Sequence, residues 1–453
     1  MTYHLDPFGC VKNQVDAENM MALLNQRGWK AGESPEDSDL IIVNSCGFIE
    51  SAKQESINAV LSWRKIYPEK KILLAGCLAQ RYAKELSESL PEADGFFGVD
   101  NLTDLVKVVD ELVPSNAGKD FPSKKAPLPG KRPLLSLPGS AYVKISEGCD
   151  NRCSFCAIPL IRGRLKSRKI QDVVRECKTL LSRGIKELCL IGQDTGSFGR
   201  DGGASPSGLP DLLKALSDLE GNFRVRLLYT HPDHFPLPIL DIMQQNERFV
   251  PYFDIPFQHA SEKILKAMNR RSNACSHLQL IETIRHRLPD AVIRSTFMTG
   301  FPGETEEDFA LLLDFQEKAS LDWLGCFAYS REENTASYAM KGRVAKKIAA
   351  QRKLLVEERQ IPITEKQMNR FVGRTFDVLV EERFEPVAPS DAEKQTPEDT
   401  DNTGLYLGRL PCHAPEVDGS AVIFSRQPLE LGSLIPCKVT ARTGFDLEVK
   451  PIC

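Results

Sequence analysis

The chain reads as a multidomain α/β protein: an open parallel α/β domain at the amino terminus, a partial TIM-like barrel in the middle, and a small antiparallel barrel at the carboxyl end. Three observations predict this. Residues 1–113 repeat a short apolar strand, a turn and a helix; residues 140–335 do so six more times; from 371 onward the helices give way to short strands separated by turn residues. A chain of 453 residues is long enough for two or three domains, each with its own core.

Composition narrows the function. With 42% hydrophobic and 26% charged residues and no apolar run near 18 residues, the chain reads as soluble, with no membrane partner. The opening MTYHLDPFGC has neither a basic nor an apolar leader region, so no signal peptide is expected and cytoplasm is the default. Thirteen cysteines in a reducing compartment point to metal or redox chemistry rather than to disulfides. A net charge of −4 does not suit a chain whose main partner is nucleic acid.

In the first domain the units are YHLDPFGC with NQVDAENMMALLNQRG, DLIIVNSC with ESAKQESINAVLSW, and KILLAGC with AQRYAKELSESL. Right-handed crossovers would bring the strand ends to one sheet edge, where α/β proteins bind ligands. Cys10, Cys46 and Cys77 each fall just past a strand end, in turns set by Gly9, Gly47 and Gly76. They are either three buried strand-end cysteines or a three-thiolate site. Residues 114–139 follow, with six prolines, and read as a linker.

The central region, 140–340, opens with the most specific stretch of the chain. SEGCDNRCSFCAIPLIRGRLKSR holds Cys149, Cys153 and Cys156 in a CxxxCxxC spacing. Three thiolates on one loop can hold three irons of a cubane iron-sulfur cluster and leave the fourth open. A structural zinc knuckle is the rival reading, but it needs a second ligand pair that does not follow. The strand candidates are AYVKISEG, KELCLIGQD, FRVRLLYT, YFDIPFQ, AVIRSTFMTGF and WLGCFAYS. Their carboxyl ends, where such barrels carry function, hold the cysteine loop, Gln193, Asp194, His231, Gln258, His259 and the segment from Arg294 to Gly300. Arg162, Arg164 and Arg168 form either a surface basic patch or a set of cations beside the site. Cys177, Cys189, Cys275, Cys326, Cys412, Cys437 and Cys453 join no motif and read as core or surface thiols.

Residues 341–370 read as a connecting helix with a possible break at Pro362. The final strands, within 371–453, are RTFDVLVEERF, LYLGRL, SAVIFS, LIPCKVTART and FDLEVK.

On these motifs the chain resembles the radical S-adenosylmethionine (SAM) superfamily: CxxxCxxC with an aromatic, Phe155, before the last cysteine, directly after a strand. The resemblance implies that the open iron binds SAM and that SAM is cleaved to a 5'-deoxyadenosyl radical. FGCVKNQVDAENM, VNSCGFIESAKQES and AGCLAQRY resemble the amino-terminal domain of the methylthiotransferase branch, which implies a second 4Fe-4S cluster on Cys10, Cys46 and Cys77, two SAM molecules per turnover, and an electron donor such as flavodoxin. By the same resemblance Gly192, Gln193 and Asp194 stand where the SAM amino group is contacted, Arg294, Thr296 and Gly300 lie in the adenosyl-binding pattern, and the last domain is similar to the OB-like TRAM module.

Charge and resemblance agree on the substrate. Residues 370–453 carry nine Lys plus Arg against fourteen Asp plus Glu, with the acidic insert 381–402 at their centre. Such a surface repels phosphate backbones and favours a basic protein. GCVKN, IGQDT, DIPFQHAS and APEVDG resemble the branch that puts a methylthio group on the β-carbon of an aspartate in small-subunit ribosomal protein twelve. Two rivals remain: a tRNA adenosine methylthiotransferase, whose tRNA affinity would depend steeply on salt, and a non-catalytic, zinc-stabilised ribosome adaptor, which would carry zinc without sulfide.

Overall fold

Strands β1 (Thr2–Pro7), β2 (Lys30–Ala31), β3 (Leu40–Ser45), β4 (Lys71–Gly76) and β5 (Gly95–Phe97) form one sheet in the order β2-β1-β3-β4-β5, parallel throughout. The computed structural model describes residues 1–114, 130–202, 208–384 and 404–452. Helices α1 (Val11–Gln26), α2 (Glu50–Ile66), α3 (Cys77–Ser89) and α4 (Leu105–Leu112) alternate with these strands. Every residue of β3 is buried, which is why LIIVNS reads as a nearly unbroken apolar run.

The central domain is an open parallel sheet of β6 (Ser140–Lys144), β9 (Glu187–Ile191), β10 (Arg224–Leu227), β11 (Phe249–Asp254), β12 (Val292–Thr299) and β13 (Trp323–Ala328), each strand beside the next in sequence. The cysteine loop and α5 (Ile158–Arg162) leave this sheet through a small antiparallel ribbon of β7 (Ser146–Glu147) and β8 (Lys166–Ser167). The outer helices are α6 (Ile170–Ser182), α7 (Leu209–Ser217), α8 (Pro238–Gln245), α9 (Glu262–Ala267), α10 (Ala274–Arg287) and α11 (Glu306–Ala319). Leu188, Leu190, Val225, Phe253 and Ile293 pack beneath them as one core. No helix among the described residues is long and apolar enough to cross a membrane.

Helix α12 (Lys346–Asn369) runs through Pro362 without the break expected there. Side chains on both sides of Pro362 anchor the helix here. Gln360 donates to the Leu321 carbonyl at 2.8 Å and Thr364 to the Asp322 carbonyl at 2.8 Å.

Strands β14 (Thr375–Phe384), β15 (Gly404–Arg409), β16 (Ala421–Ser425), β17 (Leu434–Thr443) and β18 (Asp446–Pro451) close into a barrel, β14-β15-β16-β18-β17. It is antiparallel except between β16 and β18, which run parallel. A closed ring of five strands cannot alternate direction throughout. Most of the acidic insert, residues 385–402, lies outside the described residues.

The domains are joined by buried charge. Part of the expected linker is a structural clamp: Arg132, 3% exposed, pairs with Glu18 of α1 and Glu176 of α6. Residues 115–129 of that stretch are not described. On the other side Glu187 of β9 meets Arg224, Arg226 and the barrel's Arg409. The loop after β15 packs into the sheet, where Trp323 donates to the Cys412 carbonyl at 2.9 Å and Tyr252 to Asp418. Cys177, Cys189, Cys326, Cys412 and Cys437 are buried and Cys275 is exposed, as unassigned thiols should be; Cys453 is not described.

Candidate active site

Cys10 caps the start of α1, Cys46 follows β3, and Cys77 opens α3 directly after β4. Because β1, β3 and β4 are neighbours, all three thiols stand at one sheet edge. Two glycines allow this approach. Gly76 has φ +98°, and a side chain there would meet the Ser45 carbonyl at 2.6 Å; one at Gly47 would meet the Cys77 carbonyl at 2.6 Å.

The loop of Cys149, Cys153 and Cys156 is held from several directions. Cys149 N–H donates to the Gly163 carbonyl at 3.2 Å, Ser154 N–H to the Met268 carbonyl at 3.1 Å, and Cys156 N–H to the Cys153 carbonyl at 3.0 Å. Phe155 is buried among Ile264, Met268 and Phe301. These bonds and that anchor fix where the thiols point.

Both triads line a single cavity of about 310 Å³, together with Lys12, Asn13, Phe48, Gln193, Tyr229, His231, Gln258 and Arg270. Burial pushes the thiols up: Cys77 and Cys156 to about 12, Cys149 to about 11, and Cys46 and Cys153 upward as well. Such thiols become thiolates only with a positive partner, which metal supplies. Among the described residues no three His, Cys, Asp or Glu side chains are grouped to hold a single metal ion. Cluster ligands bind separate irons, and two triads around one cavity fit that donor set.

Arg162 joins the two halves. It is 5% exposed, at the end of α5, and its Nη2 lies 3.1 Å from the Cys77 sulfur and 2.6 Å from Asn13 Oδ1. Its Nη1 pairs with Asp16 and Glu147 at 2.9 Å each. Burial disfavours the guanidinium charge, but Asp16, Cys77 and Glu147 more than offset this and hold it charged. The other two arginines of the motif lie elsewhere: Arg164 pairs with Asp150 on the surface and Arg168 with Glu176.

The expected SAM residues divide. Gln193 lines the cavity; Gly192, Asp194, Arg294, Thr296 and Gly300 do not. The Asp194 carboxylate is filled by Asn151, Gly196 N–H, Ser197 and His231 N–H, so it ties the cysteine loop to the loops after β9 and β10. Arg294 faces Asp254 at 3.4 Å and Asp418 at 3.5 Å. Thr296 contributes its carbonyl to Gln258 N–H at 2.8 Å, and Gly300 N–H donates to Glu304 at 2.7 Å. Of the other strand-end residues, His231 accepts from Asp233 N–H at Nδ1, so Nε2 faces the Cys153 sulfur at 3.8 Å. His259 is fully buried beside Glu304.

Lys12, Asn13, Tyr229 and Arg270 were not anticipated. Lys12 and Asn13 follow Cys10 in FGCVKN, so the motif itself carried their signal. Tyr229 and Arg270 had none: Tyr229 enters through a backbone at φ +64°, a property of the folded loop.

Three family descriptions match the chain: "Uncharacterized protein family UPF0004" over residues 2–98, "Radical SAM superfamily" over 143–315 and "TRAM domain" over 372–452. A protein of Treponema denticola named "Ribosomal protein uS12 methylthiotransferase RimO" is 46% identical over 98% of this chain and 99% of its own. Proteins of the same name from Pseudothermotoga lettingae and Thermosipho africanus are each 38% identical, over 97% and 99% of this chain and 97% and 99% of theirs. Among solved structures, the radical S-adenosylmethionine methyltransferase TsrM from Kitasatospora setae superposes with a TM-score of 0.51 at 14% identity, covering 74% of this chain and 73% of that one, a likeness of fold.

Proposed function

Because the chain belongs to the RimO family of radical SAM methylthiotransferases, we propose that it adds a methylthio group to the β-carbon of an aspartate in small-subunit ribosomal protein twelve (uS12), using two 4Fe-4S clusters and two molecules of SAM. The observation that carries this reading is the shared cavity: thiols from two domains, 72 residues apart at their closest in sequence, line one space.

Cys149, Cys153 and Cys156 would hold one cluster and Cys10, Cys46 and Cys77 the other. When bound, these groups supply reductive cleavage of SAM and delivery of a methylated sulfur, chemistry that no side chain provides. The protein's part is placement. Arg162 donates to the Cys77 sulfur and fixes Asn13 beside it. Arg270 acts on Cys153 and Cys156 as the nearby cation. Phe48, Phe155, Ile158 and Ile161 line the space with apolar surface and limit water, which protects a carbon radical from side reactions. We assign SAM to the Gly192–Asp194 and Arg294–Gly300 segments, Gln193 by its side chain and the others by shaping the wall behind it. The functional domains are taken as 1–113, 140–340 and 371–453, joined by 114–139 and 341–370.

The acidic balance of residues 370–453 supports a basic protein partner over tRNA. Modification in the cytoplasm, on free uS12 or on the ribosome, with a donor such as flavodoxin, completes the reading. Anaerobic incubation of cluster-loaded enzyme with SAM, reductant and either uS12 or undermodified tRNA, followed by mass spectrometry of both, tests it. A methylthio increment on the uS12 aspartate is expected; an increment on tRNA alone would overturn the substrate and keep the chemistry.

A further inference from the structure

Three cationic side chains line the cysteine cavity, and among the described residues no Asp or Glu does. Arg162 is committed to Asp16 and Glu147. Arg270 donates to the Pro256 carbonyl at 2.6 Å and acts on the radical triad. Lys12 is different. It is 5% exposed, its Nζ lies 2.9 Å from the centroid of the Tyr229 ring, and no carboxylate pairs with it among the described residues. The charge that favours it most is that of Cys10, which belongs to the amino-terminal triad, and the carboxylates whose field reaches it are engaged elsewhere, Asp254 with Arg294 and Glu147 with Lys144 and Arg162.

An ammonium withdrawn from water without a paired carboxylate is costly, and an aromatic face offsets only part of that cost. The arrangement is stable in function if an anionic ligand completes it. A second group points the same way. Gln258, 9% exposed and held at φ +68°, lines the same cavity with its Oε1 buried and without a partner among the described residues. A cation and an unused acceptor facing one space suit a peptide residue that brings a carboxylate and an N–H.

We propose that Lys12 binds the side-chain carboxylate of the target aspartate, and that this ammonium sets the preference for an acidic residue over its amide. The proposal rests on the uS12 reading above. Lys12 is two residues from Cys10 in the chain, so a carboxylate held there keeps the adjoining β-carbon beside the amino-terminal triad. The Tyr229 ring backs the ammonium and leaves it free toward the cavity.

The test is binding, with both clusters loaded. Affinities of wild-type enzyme, Lys12→Met and Lys12→Arg are measured for uS12 and for uS12 with its target aspartate changed to asparagine, with iron and sulfide counted for each preparation. Wild type should bind the aspartate form roughly 10- to 100-fold more tightly, the usual worth of a buried charge-assisted pair. Lys12→Met should lose that ratio by weakening the aspartate form alone, and Lys12→Arg should keep part of it. An unchanged ratio in Lys12→Met, or equal loss for both forms, overturns the proposal. If a variant fails to load clusters, the wild-type ratio alone decides, and a ratio of one overturns it. Wild-type enzyme that carries both clusters and cleaves SAM yet binds neither form of uS12 would refute the substrate reading, and Lys12's role with it.

Discussion

Arg162 Nη2 lies 3.1 Å from the Cys77 sulfur, so a guanidinium carried by the cysteine loop of the central domain ends on a thiol of the amino-terminal one. The same head group shares Asp16, whose side chain is 2% exposed, with Lys144. Arg162→Met should therefore destabilise the protein by about 1–3 kcal/mol, since Lys144 still meets the carboxylate while Asn13 and Asp16 each lose a hydrogen-bonding partner. Urea unfolding of the two proteins measures it. Arg162→Lys should fold better and still shift the reduction potential of the cluster proposed on Cys10, Cys46 and Cys77, because an ammonium cannot reach Cys77, Asn13 and the carboxylates together.

The two triads should separate by function. Cys149→Ala should abolish formation of deoxyadenosine from SAM, whereas Cys46→Ala should retain it and lose methylthio transfer. Product analysis by chromatography and mass spectrometry distinguishes them. Deoxyadenosine from Cys149→Ala, or unimpaired thiolation by Cys46→Ala, would refute the assignments.

Gly76→Ala combines an unfavourable φ of +98° with an approach of 2.6 Å to the Ser45 carbonyl. The turn must shift, and Cys77 shifts with it. Iron bound per chain should fall by about half, one of the two proposed clusters, while the CxxxCxxC triad still loads. Iron and sulfide analysis checks this.

Glu187 is fully buried and faces Arg224, Arg226 and Arg409; burial opposes its charge and the three arginines hold it well below the usual carboxylate range. Glu187→Gln should leave three buried cations underpaired and cost several kcal/mol, on the order of 3–5. Since Arg409 belongs to the carboxyl-terminal barrel, limited proteolysis should release that barrel sooner in the variant.

His413 gives a pH signature. Burial first, then the charges of Arg226, Arg409 and Arg224, lower it from 6.5 to about 3, and neither ring nitrogen has a partner among the described residues. The unfolded chain thus takes up a proton below about pH 6.5 that the folded chain refuses until about 3. This contribution to stability is complete above the unfolded value and shrinks as pH falls, by about 2 kcal/mol at pH 5. Asp418 acts oppositely, raised to about 6 by burial against the pull of Arg294 and Tyr252. The comparison must therefore be between wild type and His413→Leu, whose stability should fall less steeply from pH 6.5 to 4.

The division of the molecule and its chemistry were legible early because they are written in contiguous residues. The CxxxCxxC loop and the strand-end cysteines announce themselves by spacing, and even their convergence follows from strand order. The segments expected to contact SAM were less legible. Asp194 does sit at the expected strand end, whereas Arg294 is the third residue of β12, near its amino end rather than the expected carboxyl end; the charges of both are taken up by neighbours from other elements, which spacing cannot reveal. Pro362 misled in the same way, since Gln360 and Thr364 brace the helix against a different domain surface.

The sequence by itself determined the fold class, the two sets of thiols and the edge at which each would stand, because periodicity and turn chemistry are local properties of the chain. Only the tertiary structure decided that both sets open into one cavity, that Arg162 rather than Arg164 or Arg168 enters it, and that Lys12 is left there without a carboxylate partner among the described residues. Those facts depend on which distant side chains meet once water is excluded, and burial and pairing exist only in the folded molecule.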